Sequence, residues 1–165
     1  VLEERGLTRR GYFVAGLGAA QFSLPGAVDR LRSLRDTPDR ELHPADAEAP
    51  VVLAATDPAQ PYGAAIAWPA SPGRPARAAG ALVVSRSGVP LVWFERRSHH
   101  VVTFPAAADD TGWAEALARL VKDGRARSVE VRKVDGEPIT PAMPAAAALQ
   151  AAGFVEGYKG WSVRA

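Results

Sequence analysis

The sequence predicts an α+β fold: an antiparallel, barrel-like β module with about three packed helices, behind a short basic hairpin. Three observations carry this expectation. Three short apolar runs, "ALVVS", "PLVWFE" and "HVVTF", follow one another within residues 80–104, separated by the breaks Arg86-Ser87-Gly88 and Arg96-Arg97-Ser98, the signature of a meander. Two stretches, one on each side of it, place apolar residues at helical spacing. Parallel strands would need long crossover helices between successive runs, and the chain has none there.

Taken in order, residues 1–6 read as the end of a helix stopped by Gly6. "LTRRGYFVAG", residues 7–16, has the aromatic and β-branched content of a strand or hairpin arm. Helix, turn and basic hairpin are how a winged helix ends; an ordinary helix–strand junction reads the same way. "SLPGAVDRLRSLRD" is a helix with Pro25 at its first position and Ser23 or Leu24 at the cap. Leu24, Val28, Leu31 and Leu34 share a face, and Arg30, Arg32 and Arg35 lie off it as a solvated face or a DNA-facing one. Gln21 either contacts a phosphate or base, or bonds backbone at the helix entry. Residues 37–50 show no period and read as a linker over the surface.

Val51 to Ala55 reads as a buried strand, and Ala64 to Trp68 as a second one after the loop "TDPAQPYG". Within that loop Asp57 either caps its own turn or offers a carboxylate to activate water or steady a developing sugar cation. Residues 69–78, "PASPGRPARA", are proline-rich and expected to be mobile. Beyond the meander, Asp110 or Thr111 caps a helix whose inner stripe is Trp113, Leu117, Leu120 and Val121; Lys122, Gly124 and Arg125 end it. "SVEVRKV" is a further strand and Asp135-Gly136 a turn. Residues 143–152 form an alanine-rich helix with Pro144 near its start and Gly153 as its stop. "FVEGYKGWSVRA" closes as a hairpin turning near Lys159-Gly160.

Composition narrows the chemistry. Twenty Lys and Arg against 18 Asp and Glu leave a net charge of +2, too small to imply nucleic acid by itself. Cysteine is absent, which removes disulfides, thiolate chemistry and cysteine zinc sites, and suits the cytoplasm. Three histidines without an H-x-x-x-H pair, and without cysteine, do not make up a zinc ligand set, so no metal is expected. No phosphate-binding G-x-x-x-x-G-K-[ST] loop is present, and Gly16-x-Gly18 lacks the rest of a dinucleotide fingerprint. No G-x-S-x-G elbow occurs, and no apolar run reaches the ~18 residues of a membrane span. What remains is a basic tip. Arg96, Arg97, His99 and His100 could hold phosphates or could simply keep the turn soluble. Trp68, Trp93, Trp113 and Trp161 read as core residues or, alternatively, base-stacking platforms.

Three stretches, "RRGYFVAGLGAAQFSLPGAVDRLR", "VVLAATDPAQPYGAAIAWP" and "AGALVVSRSGVPLVWFERR", resemble in order and spacing the C-terminal end of the large helicase-related (Lhr) family of bacterial superfamily 2 DNA helicases. The resemblance covers nearly the whole chain and extends to "AAGF" near its end. It implies a piece of a large ATP-dependent 3′-to-5′ translocase linked to DNA repair, with the motor, its ATP and its Mg in an N-terminal part of the parent; the opening Val1-Leu2-Glu3-Glu4 fits a chain with sequence upstream. The implied division is the end of a winged helix at 1–16, a connecting helix and linker at 17–49, and a β-barrel-like module at 50–165. The implied partners are DNA, single-stranded or tailed duplex, and the rest of the parent chain, with Arg9, Arg10, Arg96, Arg97 and His99 as DNA-contacting residues. No cofactor is expected in this part. Some members are thought to be uracil-DNA glycosylases through a carboxylate at the extreme C-terminus. Residues 157–165 contain no Asp or Glu, so that residue is not carried over and Asp57 stands as the candidate acid. Three functions stay open: an accessory DNA-associated module, part of a glycosylase site for uracil or alkylated bases, and a structural or oligomerising barrel.

Overall fold

The computed structural model describes residues 5–14, 17–36 and 49–165. The chain divides into two compact units, Val1–Ala47 and Glu48–Ala165. The helix expected before Gly6 and most of the linker expected at 37–50 lie outside the described residues.

In the first unit, β1 (Arg9–Gly11) pairs antiparallel with β2 (Gln21–Ser23). The hairpin expected from residues 7–16 is therefore present, but its second arm is a stretch assigned from sequence to the helix entry. Gln21 explains why the chain turns there. Its Oε1 accepts the N–H groups of Phe13 and Val14, both at 2.8 Å, and its Nε2 donates to the carbonyls of Val14 and Leu17 at 2.9 and 2.8 Å. One side chain thus satisfies four backbone groups of the connecting loop, which sheet pairing cannot reach. These bonds go to the hairpin loop and not to the helix entry. Helix α1 is Ala27–Asp36. It begins two residues later than a Pro25 N-terminus requires, because Gly26 turns with φ +80° and Ala27 N–H bonds the Leu24 carbonyl at 3.2 Å. Leu24 and Leu31 on the expected inner stripe are exposed in this unit; the side chains of Leu34 and Arg35 lie outside the described residues.

The second unit is built on a six-stranded sheet ordered β3-β4-β5-β6-β8-β9. Its centre is the expected meander: β4 (Ala81–Arg86), β5 (Val89–Glu95) and β6 (His100–Thr103). β3 (Val51–Ala54) is an edge strand, with Val52 buried and Val51 55% exposed. The expectation of a wholly buried strand is corrected: an edge strand here is covered on one side only. A three-stranded sheet ordered β10-β11-β7 lies beside it, from β7 (Ser128–Val131), β10 (Val155–Gly157) and β11 (Gly160–Arg164). The sheets are open, so the module is α+β with mixed, mostly antiparallel pairing and not a closed barrel.

"SVEVRKV" is not one strand. β7 stops at Val131 and β8 (Lys133–Val134) joins the other sheet, parallel to β6, before turning at Asp135-Gly136 into β9 (Glu137–Pro138). Arg132 is the hinge between sheets, and the alternation of burial breaks there: Val129 and Val131 are buried two apart, then Lys133 is exposed and Val134 buried, a change of phase that marks the break.

Helix α2 (Gly112–Lys122) covers one face of the large sheet. Trp113, Leu117, Leu120 and Val121 join Val84, Phe94, Val101 and Val131 in the main core, and helix α3 (Pro144–Ala151) adds Ala146 and Leu149. The opposite face is covered by chain with no regular structure. Ala64–Trp68 forms only a bridge between Tyr62 and Ile66 and not the expected strand. Residues 69–78 lie against the sheet: Trp93 Nε1 donates to the Ala76 carbonyl at 3.0 Å, and a Cβ at Gly73 would meet Val102 Cγ2 at 2.6 Å. Proline richness here fixes an extended cover over Val83, Trp93 and Val102, which is why a stretch expected to be mobile has a defined path.

The start of α2 is fastened by Asp110. Its Oδ1 accepts Gly112 N–H at 2.9 Å while Arg86 donates to both carboxylate oxygens, Nε at 2.5 Å and Nη2 at 3.0 Å. Thr111, at the cap position, makes no side-chain cap bond. The Arg86 hydrogen bond, with help from Gly112 N–H and against the cost of burial, holds the Asp110 carboxyl below its ordinary value. A carboxyl depressed in the folded state stabilises the fold above its unfolded pKa, and that stability is lost as pH falls through the folded value. Asp110→Asn keeps the acceptor for Gly112 and removes the charge. Urea midpoints should therefore show wild type above Asp110→Asn at pH 7, with the gap closing as pH drops below about 4.

Candidate nucleic-acid interface

The loop after β3 is held by its own groups. Asp57 Oδ1 accepts Ala59 N–H at 2.8 Å, an Asx turn. Gln60, 2% exposed, donates from Nε2 to the carbonyls of Ala55 and Tyr62 at 3.2 and 2.9 Å and accepts Tyr62 N–H. Arg77 reaches in from the irregular cover and donates to the carbonyls of Thr56, Asp57 and Gln60 at 3.1, 3.2 and 2.5 Å. A guanidinium presents five N–H donors in a fixed fork, so it can close several carbonyls at once. Gly63 has φ +75°, and a Cβ there would lie 2.4 Å from Trp68 Nε1. Only glycine lets the indole pack on this backbone. Tyr62, Trp68 and Phe104 then stack in succession, with centroid spacings of 5.9 and 5.8 Å. Neither Arg77 nor Gln60 was singled out from sequence: the bonds of Arg77 reach carbonyls 17 to 21 positions back and leave no local pattern, while those of Gln60 stay within its own loop.

A cleft of about 670 Å³ opens beside Phe104, Trp113, Val134, Met143 and Pro144. The charged residues on it are Asp135 and Glu137, and Asp135 is engaged: Oδ1 accepts Thr103 N–H at 2.8 Å and Oδ2 the Thr103 hydroxyl at 2.7 Å. With no cation on its walls the cleft repels phosphates.

Cations gather elsewhere. The His99 carbonyl accepts the N–H groups of Arg132 and Lys133 at 2.8 and 3.2 Å, so the turn carrying Arg96 and Arg97 lies against the β7–β8 junction. Gly160 sits against the same junction: a Cβ on it would be 2.9 Å from Arg132 Cα. The β10–β11 turn, Tyr158-Lys159, therefore stands at this end too. Arg96, Arg97, Lys133 and Lys159 are exposed here. Two of the acids here are committed, while Glu156 on β10 is exposed. Glu130 accepts Arg132 Nη2 at 2.8 Å and lies 3.8 Å from His99 Nε2, and the Arg132 hydrogen bond keeps its carboxyl below the ordinary value. Glu95 accepts the Ser98 hydroxyl at 2.6 Å. His100 Nε2 accepts Gly136 N–H at 2.9 Å, so His100 ties the turn to β6. Thus Arg96, Arg97 and His99 share one end with Arg132, Lys133 and Lys159, which the sequence reading did not include; the split of "SVEVRKV" between sheets brings them there. Arg9 and Arg10 are exposed on β1 in the other unit.

Comparison with known proteins places the chain among relatives. A family model described as the winged-helix domain of large helicase-related protein matches residues 1–43. A Mycolicibacterium smegmatis protein named "Lhr helicase/ probable uracil glycosylase" is 49% identical over 138 residues, 81% of this chain and 9% of that protein. An Escherichia coli protein named "Lhr helicase/uracil glycosylase" is 43% identical over 94 residues, 56% of this chain and 6% of that one. The chain thus spans less than a tenth of the length of these relatives.

Proposed function

This chain belongs to the large helicase-related (Lhr) family, in its C-terminal region, and from that premise we propose that it is a DNA-associated accessory module of an ATP-dependent helicase acting in DNA repair in the cytoplasm. The motor, with its ATP and Mg, belongs to another part of the parent chain. The observation that carries the reading is the convergence of Arg96, Arg97, Lys133 and Lys159 on one end of the second unit, at a strand junction that the His99 carbonyl ties to one hairpin turn and that Gly160 packs against from the other. Exposed cations on rigid turns suit the phosphates of a single strand or a tailed duplex, which position without reading sequence. Arg9 and Arg10 on the β1–β2 hairpin add a second basic element.

The test is a salt titration of labelled oligonucleotide binding by fluorescence anisotropy. The Arg96→Ala/Arg97→Ala variant should bind every sequence more weakly, and its log–log salt slope should be shallower by about 1.4, at ~0.7 per lost single-strand contact. An unchanged slope would overturn the assignment of these arginines.

A second reading rests on the names of both relatives, which include uracil glycosylase. In it Asp57, the half-buried acid of the β3 loop, supplies the carboxylate for base release. Since Asn keeps an acceptor for Ala59 N–H, Asp57→Asn should cost no more than about 1 kcal/mol of stability. Release of uracil from single strands by the parent protein, abolished in Asp57→Asn, would establish this reading; release unaffected by the change would remove Asp57 from it.

A further inference from the structure

Tyr158 is fully exposed, more than any other large apolar side chain among the described residues. It occupies the two-residue turn between β10 and β11, which the Gly157–Gly160 pair closes. Such turns favour Asn, Asp and Gly, so neither the turn nor the core accounts for an aromatic ring there. Its surroundings do point to a role. Lys159 follows it directly, and the turn stands beside the Arg132–Lys133 junction and so at the same end as Arg96 and Arg97. The hairpin beneath it is anchored through Trp161, which is buried in the main core and paired with Val131.

We propose that Tyr158 is a base-stacking residue: its ring takes the face of one unpaired nucleobase while Lys159 and the neighbouring cations hold the flanking phosphates. This rests on the DNA-associated reading above and deepens it by making the partner a strand with unpaired bases. A duplex hides base faces in its own stack, and only a single strand or a frayed end can offer one. Every base has such a face, so the contact tolerates any sequence. A ring held out on a turn also loses little freedom on binding, because only two side-chain torsions need be fixed.

The experiment uses the 165-residue chain and three labelled probes: a single-stranded oligonucleotide, the same strand with abasic sites, and a blunt duplex. Tyr158→Ala should weaken binding to the single strand about ten-fold. It should leave binding to the abasic strand and the duplex unchanged. The salt slope should stay as in wild type, since no charge is lost, and thermal stability should not change for so exposed a side chain. Tyr158→Phe should bind as wild type does. Equal single-strand affinity of Tyr158→Ala and wild type, with salt-dependent binding intact, would overturn the stacking role and leave the accessory reading standing. A loss that Tyr158→Phe shares would also overturn it, assigning the effect to the hydroxyl. Absence of salt-dependent binding by wild type would overturn both.

Discussion

Trp113→Ala is expected to destabilise the second unit by about 3–5 kcal/mol, the largest loss from a single side chain in its helical layer. Trp113 stands in the first turn of α2 and is 2% exposed. It shares a core with Phe94 and Val101 from the large sheet, Val131 from the small one and Leu149 from α3. Removing the indole therefore takes the largest side chain of the helix out of the core that these elements share. The space left would join the cleft that Trp113 already borders with Phe104 and Met143, so neighbouring side chains cannot simply close over it. Helix formation itself should not suffer, because Ala is the best helix former; the loss should come from packing. Urea unfolding followed by far-UV circular dichroism should show a lower midpoint with an unchanged slope. A loss below 1 kcal/mol would mean that the ring is not part of the core.

How far the fold could be read from the sequence depends on whether a signal was local. The meander was legible because each strand ends at its own turn residues, Arg86-Ser87-Gly88 and Arg96-Arg97-Ser98. Helix α2 was legible because Trp113, Leu117, Leu120 and Val121 keep one spacing. The structure bears out both. What failed depended on partners far along the chain. β2 exists because Gln21 caps a loop eight residues back. Ala64–Trp68 has strand-like composition, yet Trp68 is spent on stacking between Tyr62 and Phe104. Residues 69–78 carry loop composition, but Trp93 and Val102 give that loop a surface to lie on.

The candidate interface follows the same division. Arg96 and Arg97 were legible as a basic turn within seven residues of strand. Lys133, Arg132 and Lys159 were not, since they come from segments some thirty and sixty positions further on. Their meeting depends on Arg132 carrying the chain from one sheet to the other, with both its own N–H and that of Lys133 bonded to His99. Arg77 was hidden for a related reason: it lies in a proline-rich stretch whose function is to close the carbonyls of a loop twenty residues earlier.

Gly160→Ala is the second change expected to have a large effect, and it joins fold to interface. Gly160 has φ +147°, a backbone shape that side chains other than hydrogen rarely adopt. A Cβ there would lie 2.2 Å from the Val131 carbonyl oxygen and 2.9 Å from Arg132 Cα. Both are backbone atoms, at the end of the neighbouring strand and at the hinge after it, so no rotamer change relieves the overlap. β11 must lift from β7 at the Trp161–Val131 pair, which draws Trp161 from the core. Strain and overpacking together should cost about 3 kcal/mol. Gly157→Ala is the matched control on the same turn: its Cβ would meet only the Gly160 carbonyl at 3.5 Å, an ordinary contact, and the change should stay within about 1 kcal/mol. At low temperature, where most Gly160→Ala molecules remain folded, the shifted hairpin should carry Tyr158 and Lys159 away from Arg132 and Lys133. Single-strand affinity should then fall in Gly160→Ala and hold in Gly157→Ala. A Gly160→Ala protein as stable as wild type would show that β11 does not approach β7 this closely.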